Sequence, residues 1–276
     1  MITCCDREEF IELITDKRIL IYGAGYVALN FWEALKRNGL EEQIRGFVVS
    51  QIAETQKYIG ALPVQSIDQA AVDDETIVCI AVHEALEEEI EAALLQKGIS
   101  NYIWIYPFLY NLYLGNPVKE GEWIDTKEFI RGYEQRYGLA VRWAAIDDYY
   151  GKCPGGLDLY KKAMAMHGSM DTIKARTDRF LNLIQDWGSI GYDDRWQIAI
   201  DRNYEIIDGE HRVALALYHG QPQMRCRIYD GKSMHGDKVL MTKKALFDGG
   251  FTIGEIEILD KINLYIKHTV LEEKKC

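Results

Sequence analysis

The chain has 276 residues, 48% of them hydrophobic and 27% charged, and a formal net charge of −11. This composition supplies enough apolar material for packed cores, while the longest apolar runs, such as 76–82, are too short to span a bilayer, so no membrane partner is expected. The charge is uneven: residues 1–122 hold 20 acidic and 9 basic side chains, the whole of the −11, whereas residues 123–276 hold 23 of each. So acidic a first part repels a nucleic-acid backbone, but the neutral second part keeps ample arginine for a local anion site.

Taken in chain order, Lys17 to Tyr22 is a short β-branched run that ends in Gly23-Ala24-Gly25. A helical period follows over 26–38, with Val27, Phe31, Ala34 and Leu35 on one face and Gly39 as its stop. Strands are expected at 44–49, at the Leu62-Pro63-Val64 step, at 76–82 and at 102–106, with an acidic helix over 84–97. Strands alternating with helices predict a parallel sheet with right-handed crossovers. Residues 107–123 are aromatic and punctuated by Gly115 and Pro117, and they read as a linker that packs rather than dangles. They could cover an intersubunit surface of a homo-oligomer as readily as an interdomain one. Helices are expected over 126–137, 157–166 and 172–187. Strands follow at 196–200 and 204–207, joined by a turn at Asp201-Arg202-Asn203. Asp208-Gly209-Glu210-His211-Arg212 then opens a helix to Tyr218, and a strand covers 223–229. The remainder fits one or two helices and a polar tail. The expected architecture is α/β: a first domain over 1–106, a linker over 107–123 and a smaller second domain over 124–276.

The six cysteines, Cys4, Cys5, Cys79, Cys153, Cys226 and Cys276, include no C-x-x-C pair. Histidines 83, 167, 211, 219, 235 and 268 form no ligand cluster with them, which argues against zinc and for thiols in a reducing compartment. The first residues carry neither a basic segment nor an apolar one of the signal-peptide kind. A cytoplasmic location is the expectation.

Two places concentrate chemistry. Glycines 23 and 25 sit between a strand and a helix, where a tight turn lets a phosphate approach unpaired helix N–H groups. The second strand ends in Ser50 with no acid to hold a ribose hydroxyl, Glu54 being four residues on, which argues against NAD. Residues 17–104 resemble the small Rossmann-like domains attached to bacterial sugar acetyltransferases and other surface-polysaccharide enzymes, which share the Gly-Ala-Gly turn and the Leu-Pro-Val step. That resemblance implies nucleotide-sugar binding at Gly23 and Gly25. A glycine turn kept only for helix–strand packing fits the residues as well. His83, after the fourth strand, is either a sheet-edge site residue or a helix-start residue.

The second place is residues 208–212. Arg212 and the helix start can hold phosphate oxygens. Asp208 and Glu210 can bind Mg²⁺ or act as general base, and His211 titrates near neutrality. An N-capped helix with solvated His211 and Arg212 is the plainer alternative. Residues 196–229 resemble the core of the ParB/sulfiredoxin superfamily, in which the Ile-Ile-Asp-Gly-x-His-Arg turn binds nucleotide phosphates. Glu210 stands where sulfiredoxin has its cysteine, so that chemistry should be absent. His211 replaces a ParB arginine, and no helix-turn-helix follows, so ParB-type DNA association is not expected. The free-serine-kinase turn is the nearest. The resemblance implies a nucleoside di- or triphosphate (ATP, ADP or CTP) with Mg²⁺, and phosphoryl transfer to a small hydroxylated substrate, in a setting such as surface-polysaccharide or specialised metabolism. Asp208, Glu210 and His211 would be catalytic, Asp208 and Glu210 metal-binding, and Gly209, Arg212, Arg176 and Arg179 phosphate-binding. A nucleotide-sensing module without turnover is the rival reading. Lys161, Lys162 and the two helix arginines read as solvated if no ligand calls on them, and Trp187, Trp196 and Tyr204 as core.

Overall fold

A computed structural model describes residues 6–51, 57–82, 86–130, 136–166, 170–231 and 241–271. Glu54, His83, Cys4, Cys5 and Cys276 lie outside these residues. The chain divides into two units, Met1–Asn116 and Pro117–Cys276, so the second is the larger of the two and not the smaller.

The first unit is built on a six-stranded sheet. Its strands are β1 (Arg18–Tyr22), β2 (Ile44–Val49), β3 (Tyr58–Ile59), β4 (Leu62–Ser66), β5 (Thr76–Ile80) and β6 (Tyr102–Trp104), in the order β3-β4-β2-β1-β5-β6. All neighbours pair in parallel except β3, which folds back antiparallel on β4 at one edge. Every residue of β5 is buried, as a strand covered on both faces requires. Helix α2 (Tyr26–Arg37) buries Phe31, Ala34 and Leu35, spaced at three and four residues. Helix α1 (Arg7–Thr15), which the sequence reading did not resolve, is capped by Asp6, whose side chain accepts from the Glu9 N–H at 2.9 Å. It brings Phe10 to the rings of Phe31 and Phe108, at 6.2 and 5.8 Å. Helix α3 (Glu87–Gln96) links β5 to β6, and α4 (Leu109–Leu114) closes the unit.

The stretch 107–123, expected as a linker, thus carries regular structure at both ends. Helix α4 occupies its first half, and strand β7 (Lys119–Asp125) starts in its second. The strand expected to reach Tyr106 stops at Trp104 and gives way to a 3₁₀ turn at Tyr106–Phe108, where Pro107 supplies no N–H for a strand.

In the second unit β7, β8 (Ile198–Asp201), β9 (Ile206–Asp208) and β10 (Gln223–Tyr229) form a mixed sheet in the order β7-β10-β8-β9. β8 and β9 are an antiparallel hairpin, and β10 pairs with β8 in parallel after helix α8 (Glu210–Tyr218). The hairpin tip is tied by Asp201, which is buried and accepts the N–H groups of Asn203 and Glu205, both at 2.8 Å. Helices α5 (Gly138–Tyr149), α6 (Gly156–Ala165), α7 (Met170–Ile190), α9 (Lys243–Asp248) and α10 (Ile253–Leu271) complete the unit. The helix expected over 126–137 is a 3₁₀ turn at Thr126–Ile130, and 131–135 lie outside the described residues. Helix α5 has no amphipathic period to read, because Gly138 to Ile146 are all buried. Among the described residues no helix is long and apolar enough to cross a membrane.

Candidate functional site

The turn between β9 and α8 is shaped by Gly209. Its φ of +96° is one that side chains rarely adopt, and a Cβ there would stand 2.5 Å from Cδ1 of Ile198. The turn aims the first three residues of α8 in three directions.

Glu210 turns toward α5. Its carboxylate lies 2.7 Å from Nη2 of Arg142, a guanidinium only 6% exposed, and it fills the space a Cβ on Gly138 would need. Arg142 Nη1 donates to the Gly138 carbonyl at 2.9 Å, while its buried Nε has no partner. A buried charge is tolerable only when paired, so this contact fixes the start of α8 against α5.

His211 turns toward α6 and α7. Its Nε2 lies 2.8 Å from the hydroxyl of Tyr160, and its ring packs 4.6 Å from that of Phe180. Tyr160 is fully buried. Burial raises its phenol above the ordinary range, while Arg142, Arg176 and Arg179 pull it down and Glu210 opposes them. The two helix arginines expected from the sequence, Arg176 and Arg179 on α7, thus act electrostatically on the same hydroxyl that His211 contacts, with Arg142 as a third. Of the three, Arg142 alone is paired with the Glu210 carboxylate at the start of α8.

Arg212 reaches back along the chain. Its Nη1 donates to the carbonyl of Trp196 at 2.6 Å, and its Nη2 lies 3.7 Å from Asp208. It clasps the chain entering β8 to the turn. Asp208, the last residue of β9, is partly exposed and lies farther from its guanidinium, at 3.7 Å, than Glu210 does from Arg142.

Asp208 and Glu210, expected as Mg²⁺ ligands, stand two residues apart across the turn. Each carboxylate already faces a guanidinium, and among the described residues no three His, Cys, Asp or Glu side chains are grouped as metal ligands. Lys162, read as solvated, pairs with Glu255 on α10 at 2.8 Å and lies over Phe251. Lys161 pairs with Asp158. Trp187 is core, Tyr204 packs against that core with φ of 63°, and Trp196 is half-buried.

In the first unit the strand order turns at β1, with β2 on one side and β5 on the other, and Gly23 follows β1 directly. Gly23 has φ of +117°, donates to the Val48 carbonyl at 2.8 Å, and leaves no room for a Cβ beside the Ala81 carbonyl. Packing alone accounts for it. Gly25, the N-cap of α2, has an ordinary φ of −96° and open space where a Cβ would be. Nothing inside the unit requires a glycine there. Tyr22 and Ser50, at the ends of β1 and β2, share a hydrogen bond of 2.7 Å between their hydroxyls. Cys79 and Cys226 are buried, and burial pushes the Cys226 thiol up to about 12.

Sequence reasoning missed Arg142 and Tyr160. The first sits in a helix with no readable period, and the second is one of 17 tyrosines with nothing local to mark it. Compared with known proteins, the chain matches no family model, no curated protein and no solved structure.

Proposed function

We propose that the second unit binds the phosphate groups of a nucleoside di- or triphosphate at the start of α8, and that the protein is a nucleotide-dependent phosphotransferase acting on a small hydroxylated molecule. The observation that carries this reading is that Arg142, Arg176 and Arg179, from two helices, all act electrostatically on the Tyr160 hydroxyl that is hydrogen-bonded to His211. Such convergence is what multiply charged phosphate oxygens need, because each guanidinium offers directed donors and none can lose its charge. The resemblance of residues 196–229 to the ParB/sulfiredoxin superfamily supports the same ligand class.

When bound, the nucleotide would supply a phosphoryl group for transfer to a hydroxyl. The chain would contribute orientation and charge: Arg176 and Arg179 hold phosphate oxygens, and the first N–H groups of α8 add a partial positive charge. Because Glu210 pairs with Arg142, the role of taking the acceptor's proton is given to Asp208. The Rossmann-like reading of the first unit, with Gly25 facing a nucleotide sugar or other substrate, completes the proposal.

That same commitment of Glu210 favours a second reading, binding without turnover, in which the nucleotide only changes the packing of α5, α7 and α8. Calorimetric titration with ATP, ADP and CTP, with and without Mg²⁺, tests both. Binding weakened in Arg176→Ala and Arg179→Ala is expected. No binding of any nucleotide would sink the proposal. Binding without phosphoryl transfer to a panel of hydroxylated acceptors would select the sensing reading.

A further inference from the structure

Tyr160 is fully buried, and its hydroxyl makes one hydrogen bond among the described residues, to Nε2 of His211 at 2.8 Å. A phenol has one proton to donate, and a buried donor left without an acceptor costs about 1–3 kcal/mol. Among the described residues the only acceptor offered to that proton is the imidazole nitrogen. Nε2 can accept only if the ring is neutral and carries its own proton on Nδ1. The opposite arrangement, Nε2–H donating to the phenol, would strand the phenolic proton inside the core.

The surroundings agree. Arg142 on α5 and Arg176 and Arg179 on α7 all act on the Tyr160 hydroxyl, against Glu210 on α8 alone. An imidazolium in contact with that hydroxyl would add a further positive charge to three. The aromatic walls are fixed as well: Phe180 lies 4.6 Å and the Tyr160 ring 5.8 Å from the imidazole, and Tyr160 and Phe180 lie 5.0 Å from each other. The ring has little freedom to flip and exchange its nitrogens.

We propose that Tyr160 is a positioning residue that holds His211 as the neutral Nδ1–H tautomer, so that His211 is not the general base of the site. The inference refines the phosphate-site reading and rests on it only for what that site does. A ring whose Nε2 is already receiving a proton and whose Nδ1 already carries one has no lone pair to offer an acceptor hydroxyl. The proton-accepting role then falls to Asp208 alone among the residues of the motif.

The test is long-range ¹H–¹⁵N correlation of the histidine rings in the full chain at neutral pH. His211 is assigned by the cross-peaks lost in His211→Gln, checked by elimination against single substitutions of the other five histidines. A neutral pattern with the unprotonated, pyridine-type nitrogen at Nε2 is expected in wild type, and Tyr160→Phe should move population to the Nε2–H tautomer. A pyridine-type signal at Nδ1, or an imidazolium pattern, in wild type overturns the proposal without any variant. So does a folded Tyr160→Phe protein whose His211 pattern is unchanged. If the wild-type pattern is as expected and inorganic phosphate and nucleotides still fail to bind, the phosphate reading fails while the tautomer assignment stands.

Discussion

Arg142 and Glu210 stand 2.7 Å apart, joining a helix buried over most of its length to the first residue of the helix that opens the Asp-Gly-Glu-His-Arg turn. The geometry makes the pair asymmetric in its consequences. Arg142→Met leaves the Glu210 carboxylate facing a low-dielectric wall, at a cost of about 3–5 kcal/mol. The double variant Arg142→Met/Glu210→Met should recover most of that loss, since matched apolar replacement of a buried pair is often near neutral. Urea unfolding of wild type, both single variants and the double variant measures the coupling directly.

Arg176 is half-buried and Arg179 exposed on α7. Replacing either by alanine should weaken nucleotide binding by roughly tenfold or more, as expected for a charge-assisted bond worth about 1.5–3 kcal/mol. Arg179→Ala should change stability by no more than about 0.5 kcal/mol, because it removes an exposed side chain. Titration calorimetry beside thermal unfolding separates the two effects. Equal nucleotide affinity in wild type and both variants would remove α7 from the site.

Gly209→Ala tests the turn itself. Forcing a side chain to φ of +96° costs roughly 1–2 kcal/mol, and the new Cβ also meets Cδ1 of Ile198 at 2.5 Å. The variant should unfold at lower urea, and the hydrogen bond between Tyr160 and His211 should loosen with the displaced start of α8.

The two glycines of the first unit should part company. Gly23→Val places bulk against the Ala81 carbonyl and Val82 and should destabilise the unit severely. Gly25→Ala meets nothing within 4 Å at an ordinary φ and should stay folded. A nucleotide sugar whose binding is lost in folded Gly25→Ala would give that glycine its reason. Unchanged affinity would leave the turn a packing device.

Glu255 provides a pH test. It closes a capping box on α10, accepting the Thr252 N–H at 2.6 Å while its own N–H donates to Thr252 Oγ1 at 3.3 Å, and it pairs with Lys162 on α6. Burial pushes its carboxyl up, but Lys162 and Thr252 together outweigh burial and hold it below the ordinary range. A folded value below the unfolded one means that the unfolded chain takes up the proton first as pH falls. The stability this gives is therefore full above the ordinary carboxylate value of about 4.3 and is lost as pH drops through the folded value. The gap in unfolding free energy between wild type and Glu255→Gln should be present at pH 7 and shrink below about pH 4. A gap that is constant with pH would show the ion pair contributes nothing.

The sequence by itself determined the elements whose signals are local. β-Branched runs marked β1, β2 and β5; Gly39 and Gly98 ended their helices; and Asp208-Gly209 announced a strand-to-helix turn, because only glycine fits the φ that turn demands. The same locality brought Arg176 and Arg179 under notice as cations one helix before the motif. Only the tertiary structure decided what faces what. It made β7 a strand from a stretch rich in aromatics, since an edge strand gains its pairing from β10, far along the chain. It hid α5, which is apolar all round and so shows no period, and with it the arginine that engages Glu210. It turned Arg212 back onto Trp196 and set Tyr160 against His211, two contacts that join residues 16 and 51 positions apart. Side-chain partners across such distances depend on how helices pack, and packing is a property of the whole folded unit that no window of sequence contains.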